Sequence, residues 1–213
     1  MTELNGVDYI GLSSSELHGR NFDQETSRSA VGQPIGSFFV YEADGLFQSD
    51  AEIQNYKNDR GELLQPNAKP GDIRFKDLNG DGVINSDDRD FKGNPLPDCS
   101  MGLTLGFNYK NFDVSAFFQG VFGNEVYNLT NYLGEFYNQA QYNKNSTILD
   151  AWRPDNTDTD IPRVTLDDPN NNIRPSTYYI HNASFVRLKN LKVGYTLPDK
   201  VASKLKLNCL LYT

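Results

Sequence analysis

MGLTLGFNYKNFDVSAFFQGVF, residues 101–122, alternates apolar with small or polar side chains through two runs of about ten residues, the period of a β-strand. Met101, Leu103, Leu105, Phe107 and Tyr109 share one face of the first run, and Phe112, Val114, Ala116, Phe118, Gly120 and Phe122 share one face of the second. If Lys110-Asn111 is a two-residue hairpin turn, Tyr109 pairs with Phe112, Phe107 with Val114, Leu105 with Ala116 and Leu103 with Phe118. Both apolar stripes then fall on one side. A slip of a single residue would put them on opposite sides, so the pattern fixes the register. That side must meet a protein core or lipid. A soluble sandwich is one solution. Strands of about ten residues, with Tyr109 and Phe112 beside the turn as an interfacial girdle, fit a membrane β-barrel instead.

A second strand pattern, ASFVRLKNLKVGYTL at 183–197, carries Leu191, Val193 and Tyr195 in one parity and Val186 and Leu188 in the other. A bulge between them would reconcile the two halves. Upstream, QPIGSFFVY at 33–41 reads as a strand, and residues 7–12 as a short one. Ser49-Asp50-Ala51-Glu52 is a capping box that opens a short helix over 50–57. Leu197-Pro198-Asp199 leads into a helix-like turn over 200–205.

KDLNGDGVINSDDRDFKG, residues 76–93, places Asp77, Asn79, Asp81, Val83, Asn85 and Asp88 at positions 1, 3, 5, 7, 9 and 12 of a calcium loop. Calcium takes hard oxygen ligands, which alternate side chains on a turning loop supply, Val83 through its carbonyl. Position 12 is an Asp with a short arm, and the flanks are strand and turn rather than helix. Two readings stay open: a Ca2+ loop, or a polar turn ordered by its own side-chain bonds.

Residues 123–182 are polar and rich in Asn, Asp and Tyr, too long for a loop within a compact soluble domain. Tyr127, Tyr132, Phe136, Tyr137 and Trp152 lie here as candidate ligand-stacking rings, with packing of the segment against itself as the alternative. Asp167 to Asn172 reads as an exposed turn.

The chain has 213 residues, 12 Tyr, 13 Phe and a net charge of −8, which disfavours nucleic-acid binding through a basic face. Cys99 and Cys209 stand in no metal spacing, and His18 and His181 lie near no catalytic partner. Acidic residues are plentiful, yet no pair is singled out for glycoside chemistry, so no catalytic residues and no organic cofactor are expected. Met1 to Asn5 is expected to hold no secretory signal, and no apolar run is long enough for a spanning helix.

Several segments in order resemble the C-terminal barrel region of SusC/RagA-type TonB-dependent outer-membrane transporters. They are VGQPIGSFF (31–39), DGLFQ (44–48), PNAKPGDI (66–73), KDLNGDG (76–82), GNP (93–95), FFQG (117–120) and residues 185–198. The resemblance implies an all-β fold: antiparallel strands of a partial transmembrane β-barrel over 1–213. It implies an outer loop at 43–98 holding the helix and the calcium-type loop 77–88, and a long outer loop at 123–182. Strands at 33–42, 99–109, 112–122 and 183–197 would cross the membrane, with a periplasmic turn at Lys110-Asn111. It also implies import of oligosaccharides or peptides through the bacterial outer membrane, capped by a SusD-like surface lipoprotein and driven by TonB through parts beyond this chain. The chain is expected to be a fragment of such a protein. A soluble calcium-stabilised β module that binds glycans is the alternative.

Overall fold

The structure, a computed structural model, describes residues 9–13, 16–17, 20–21, 25–136 and 143–204. In chain order the first strands are β1 (Tyr9–Ser13), β2 (Glu16–Leu17), β3 (Arg20–Asn21), β4 (Glu25–Ala30), β5 (Ser37–Tyr41) and β6 (Ala43–Leu46). Helix α1 (Asp50–Asn55) follows, then β7 (Ile73–Phe75) and β8 (Arg89–Gly93). The long strands β9 (Cys99–Tyr109) and β10 (Phe112–Phe122) come next, then β11 (Glu125–Tyr127), α2 (Leu129–Glu135), β12 (Ile180–Asn182), β13 (Phe185–Tyr195) and α3 (Asp199–Lys204). Among the described residues every pair of neighbouring strands is antiparallel. The chain divides into two units: residues 1–96 with 125–182, and residues 97–124 with 183–213.

The second unit is a three-stranded sheet ordered β13-β10-β9. The hairpin has the register that the alternation dictates, with Tyr109 opposite Phe112, Phe107 opposite Val114, Leu105 opposite Ala116 and Leu103 opposite Phe118. Lys110 takes a positive φ of 53° at the first turn position, the geometry that matches a two-residue turn to twisted strands. Between β10 and β13 the register shifts: Phe117 faces Asn190, and Phe118 faces Leu188. Lys189 is therefore the extra residue of a bulge. It flips the parity of β13 once, so that Val186 and Leu188 join Leu191, Val193 and Tyr195 on one face.

The first unit holds a four-stranded sheet ordered β1-β4-β5-β8 and the short pairs β2-β3, β6-β7 and β11-β12. β5 is five residues long and its Phe38 and Val40 are buried, so the stretch expected to cross a membrane at 33–42 is here a short strand packed inside this unit. Ser49 caps α1 by accepting the Glu52 N–H at 3.3 Å, and the Glu52 carboxylate accepts the Gln48 N–H at 2.7 Å. The helix stops at Asn55, short of residue 57. Tyr56 leaves it to donate its hydroxyl to the Phe75 carbonyl at 2.6 Å and to stack edge-on against Phe47.

The core of this unit is Ile73, Phe75, Phe136, Ile173 and Tyr179, with Tyr41, Ala43, Leu46, Ile84, Tyr127 and Tyr178 packed around them. A smaller cluster gathers Phe47, Ile53 and Ala68. Residues from 43–98 and from 123–182, read from the sequence as two separate loops, thus share one core. The second of them carries β11, α2, β12 and short 3-10 turns.

Candidate functional site

Two surfaces carry the chemistry. The first is the apolar face of the three-stranded sheet. From Met101, Leu103, Leu105, Phe107 and Tyr109 on β9 to Val186, Leu188, Leu191, Val193 and Tyr195 on β13, its side chains are 49–67% exposed. Val114, Ala116 and Phe118 of β10 lie between them. The opposite face carries Ser100, Thr104, Asn108, Asp113, Ser115, Gln119, Asn190 and Lys192, with Phe117, Val121 and Phe185 as its apolar members. Leaving ten half-exposed apolar side chains in water forgoes on the order of 10 kcal/mol of burial. An eleven-residue strand is about 36 Å long and spans about 25 Å when tilted by ~45°, the height of the apolar band on an outer-membrane barrel. Aromatic rings collect at the hairpin end: Phe107 stacks beside Tyr109, Phe112 against Tyr195, and the Lys110 ammonium lies over Tyr109. Among the described residues, no helix is long and apolar enough to cross a membrane.

The second surface is the loop cluster of the first unit. In the calcium-type loop, the Asp77 carboxylate accepts the N–H groups of Gly80 at 2.7 Å and Gly82 at 2.8 Å. Asn79, Asp81 and Asn85 converge, with both amide nitrogens donating to Asp81 Oδ2 at 3.2 Å. Asp81 also accepts the Val83 N–H, and that bond holds its carboxyl below the usual Asp range. Asp88 turns the other way. It is fully buried and accepts the N–H groups of Leu78, Asn79 and Asn85. Its role is to pin the two ends of the loop together. Positions 1 to 9 fit a cation in residue type, and Asn79, Asp81 and Asn85 cluster, while both Asp77 oxygens accept backbone N–H groups. Asp88 does not, because its oxygens are turned onto backbone and no solvent reaches it. Among the described residues, no three His, Cys, Asp or Glu side chains gather as a metal site.

Three of the five aromatic candidates face inward. Phe136 and Tyr127 pack against Tyr179 in the core, 6.1 and 5.4 Å between centroids. Trp152 is 8% exposed and donates its indole N–H to Gln48 at 2.8 Å. The Trp152 ring lies on Gly71, where a Cβ would come within 2.5 Å of it. These three rings are packing residues, each with its faces against protein. Tyr132 sits on α2, and Tyr137 lies outside the described residues.

The turn 167–172 is a turn, with positive φ at Asp168 and Asn171, but it is not an exposed tip. Asp168, Asn170 and Asn172 are buried. They form a polar knot with residues about a hundred positions away. Asp72, with no exposed surface, accepts Arg163 Nε at 2.6 Å and Nη2 at 3.2 Å, Asn172 Nδ2 at 3.0 Å and the Lys69 N–H at 2.8 Å. Asn172 Oδ1 accepts the Ile73 N–H, and Asn170 donates to the Ile73 carbonyl. Gln65 spans the Phe75 N–H and the Ile73 carbonyl. A second, partly buried pair joins the Tyr178 hydroxyl to Glu135 at 2.6 Å, and desolvation there pushes the Tyr178 pKa far up. The sequence offered no signal for these partners, because Asn and Asp in a row read as a solvated turn.

No protein-family model matches the chain. Comparison with curated proteins finds TonB-dependent receptor P26 of Formosa agariphila, 36% identical over 93% of this chain and 19% of that protein. It also finds TonB-dependent receptor P3 of the same organism, 36% identical over 96% of the chain and 19% of that protein. TonB-dependent receptor SusC of Bacteroides thetaiotaomicron is 28% identical over 93% of the chain and 17% of that protein. Among solved structures, the RagAB peptide importer in its closed-closed state matches 94% of this chain and 20% of that one, with a TM-score of 0.62 at 24% identity. A RagAB peptide transporter structure matches over the same shares with a TM-score of 0.59 at 27% identity. The chain spans about a fifth of the length of these proteins. In sequence, in antiparallel all-β architecture and in its one-sided apolar sheet, this chain belongs to the SusC/RagA-type TonB-dependent receptor family.

Proposed function

We propose that the chain is part of a bacterial outer-membrane transporter wall with its attached loop domain. It would serve a TonB-driven importer of oligosaccharides or peptides capped by a SusD-like surface lipoprotein. The observation that carries this reading is the continuous apolar face of β9, β10 and β13, with a mostly polar face behind it. A barrel needs lipid outside and a polar lumen inside. The family relationship supports import, and the RagAB structures, which are of a peptide importer, support the peptide class. The chemistry is binding and passage, with no covalent step. Among the described residues the outer edges of β9 and β13 have no partner strand, and an open edge in hydrocarbon is costly, so transport would need further strands.

Calcium enters this reading as an ordering ion of the 77–88 loop, held by Asp77, Asn79, Asp81, Asn85 and the Val83 carbonyl. A melting temperature that rises with millimolar calcium and falls back with chelator supports it, and an unchanged melt counts against it.

The test of the main reading is partition of the expressed chain. Circular dichroism of its fractions in buffer, detergent and lipid should show β structure only where detergent or lipid covers the sheet. A folded monomer in plain buffer would instead favour a soluble glycan-binding module.

A further inference from the structure

Arg174 keeps guanidinium donors that neither the fold nor the import reading uses. It is half-buried, and its guanidinium lies 4.5 Å from the Phe75 ring centroid and 5.1 Å from that of Tyr41. Such stacking fixes the plane of the group. Nε donates to the Asn171 carbonyl at 3.1 Å, and Nη2 donates to the Asn170 carbonyl at 3.0 Å. The hydrogens left over sit on Nη1 and Nη2, the end-on fork that grips a carboxylate with two parallel bonds.

No carboxylate within the described residues takes that fork. Asp168 and Asp88 lie close enough to act on the charge of Arg174. Neither pairs with it. Asp168 accepts the N–H groups of Asn172 and Ile173, and Asp88 accepts those of Leu78, Asn79 and Asn85. Burial lowers the Arg174 pKa, against the opposing pull of Tyr41, Asp168 and Asp88. A cation in a low-dielectric crevice is expensive until an anion joins it.

Arg174 also lines a cavity of about 230 Å³ in the first unit, with Pro66, Asn67, Val83, Pro169 and Asn170. It is the single charged residue of that lining. The rest is two proline rings, three aliphatic side chains and three amides. Asn170 is committed to the polar knot, whereas Asn67 is exposed and makes no side-chain hydrogen bond among the described residues. The volume suits one terminal group of a ligand rather than a whole chain.

We propose that this cavity is a carboxylate-binding subsite, with the free fork of Arg174 as its recognition element and Asn67 as a second polar contact. The proposal stands apart from the import reading, since it concerns the first unit alone. A carboxylate reaches such a site either as the C-terminus of a peptide or as an acidic sugar.

The test is saturation-transfer NMR on the full chain, in whichever solvent holds it folded by circular dichroism. The probes are triglycine against triglycine amide, and glucuronate against glucose. The acids should give saturable signals and their neutral counterparts none. Triglycine alone binding identifies a peptide end, glucuronate alone an acidic sugar, and both a general carboxylate site. Arg174→Lys keeps the charge but loses the fork, and should weaken binding at least five-fold. Because Arg174 also holds the 170–171 turn, Asn67→Asp is the second variant. It leaves every Arg174 bond in place but supplies an internal carboxylate, and should weaken the acids at least ten-fold. Equal signals from acid and neutral probes, no signal from either acid on folded chain, or undiminished binding by Asn67→Asp would overturn the proposal.

Discussion

Replacing Asp72 by Asn removes one charge from the polar knot and almost no volume. The Asp72 carboxylate has no exposed surface and accepts four hydrogen bonds, two from Arg163, one from Asn172 and one from the Lys69 amide. All four partners are donors. An asparagine can offer one oxygen to them, but its NH2 must then face donors it cannot satisfy. Removing one partner of a buried pair costs about 3–5 kcal/mol. The Arg163 side chain is 19% exposed, so water recovers part of its charge. The expected loss is therefore at the lower end, about 3 kcal/mol. Against a typical domain stability of about 5–15 kcal/mol, that is a large fraction. The assay is urea unfolding followed by tryptophan fluorescence. Trp152 is the one tryptophan of the chain, and it packs on Gly71, next to Asp72. Arg163→Gln should cost a similar amount, and the double variant less than the sum by about 2 kcal/mol. A loss under about 1 kcal/mol for Asp72→Asn, or strict additivity in the double variant, would refute the claim that the knot holds the two segments together.

Further outcomes follow from single features. Gly71→Ala adds a methyl 2.5 Å from the indole at a φ of +88°, so it should destabilise the first unit by about 2–4 kcal/mol in the same urea assay. Deleting Lys189 removes the bulge and joins Leu188 to Asn190, so a regular strand keeps Val186 and Leu188 on the apolar face and Arg187 on the opposite one. The deleted chain should recover the parent's strand content in lipid vesicles by circular dichroism, and a clear loss would show that alternation alone does not set the faces of β13. Asp81 has a folded-state pKa below its unfolded one, so its contribution is complete above the unfolded value and disappears as pH falls through the folded value. Amide exchange at Val83 should accelerate, relative to the intrinsic rate, as pH drops below about 4, and Asp81→Asn should abolish that dependence.

The alternation at 101–122 was enough to fix the hairpin pair by pair, because a period of two has only one register that keeps both stripes together. The clash of parities in β13 announced the bulge for the same reason. The capping box at Ser49 located α1, though Tyr56 ended it early by reaching for Phe75. What stayed hidden is the interior of the first unit. Its secondary structure comes in pieces such as β7, β11 and β12, three residues each, too short for any period to register. Its polar knot joins Asp72 to Asn172 across a hundred positions. Local composition there says turn, and the partner that makes the turn buried is far off in sequence. For the same reason Phe136 and Trp152 read as rings in a wet loop. Each is buried by residues that only the tertiary fold brings to it. The calcium-type pattern was legible as residue types, but the direction in which Asp88 points depends on backbone N–H groups that no spacing rule encodes.

The central claim is that the apolar face of β9, β10 and β13 meets lipid. The most direct measurement places a tryptophan on each face of β9, as Leu105→Trp and Thr104→Trp, and reads quenching by brominated lipids in vesicles. Trp152, buried in the first unit, gives the background in the unsubstituted chain. The account predicts strong quenching above background for Leu105→Trp and little for Thr104→Trp. Equal quenching at both positions, or none at either in a chain that is already folded without lipid, would contradict it.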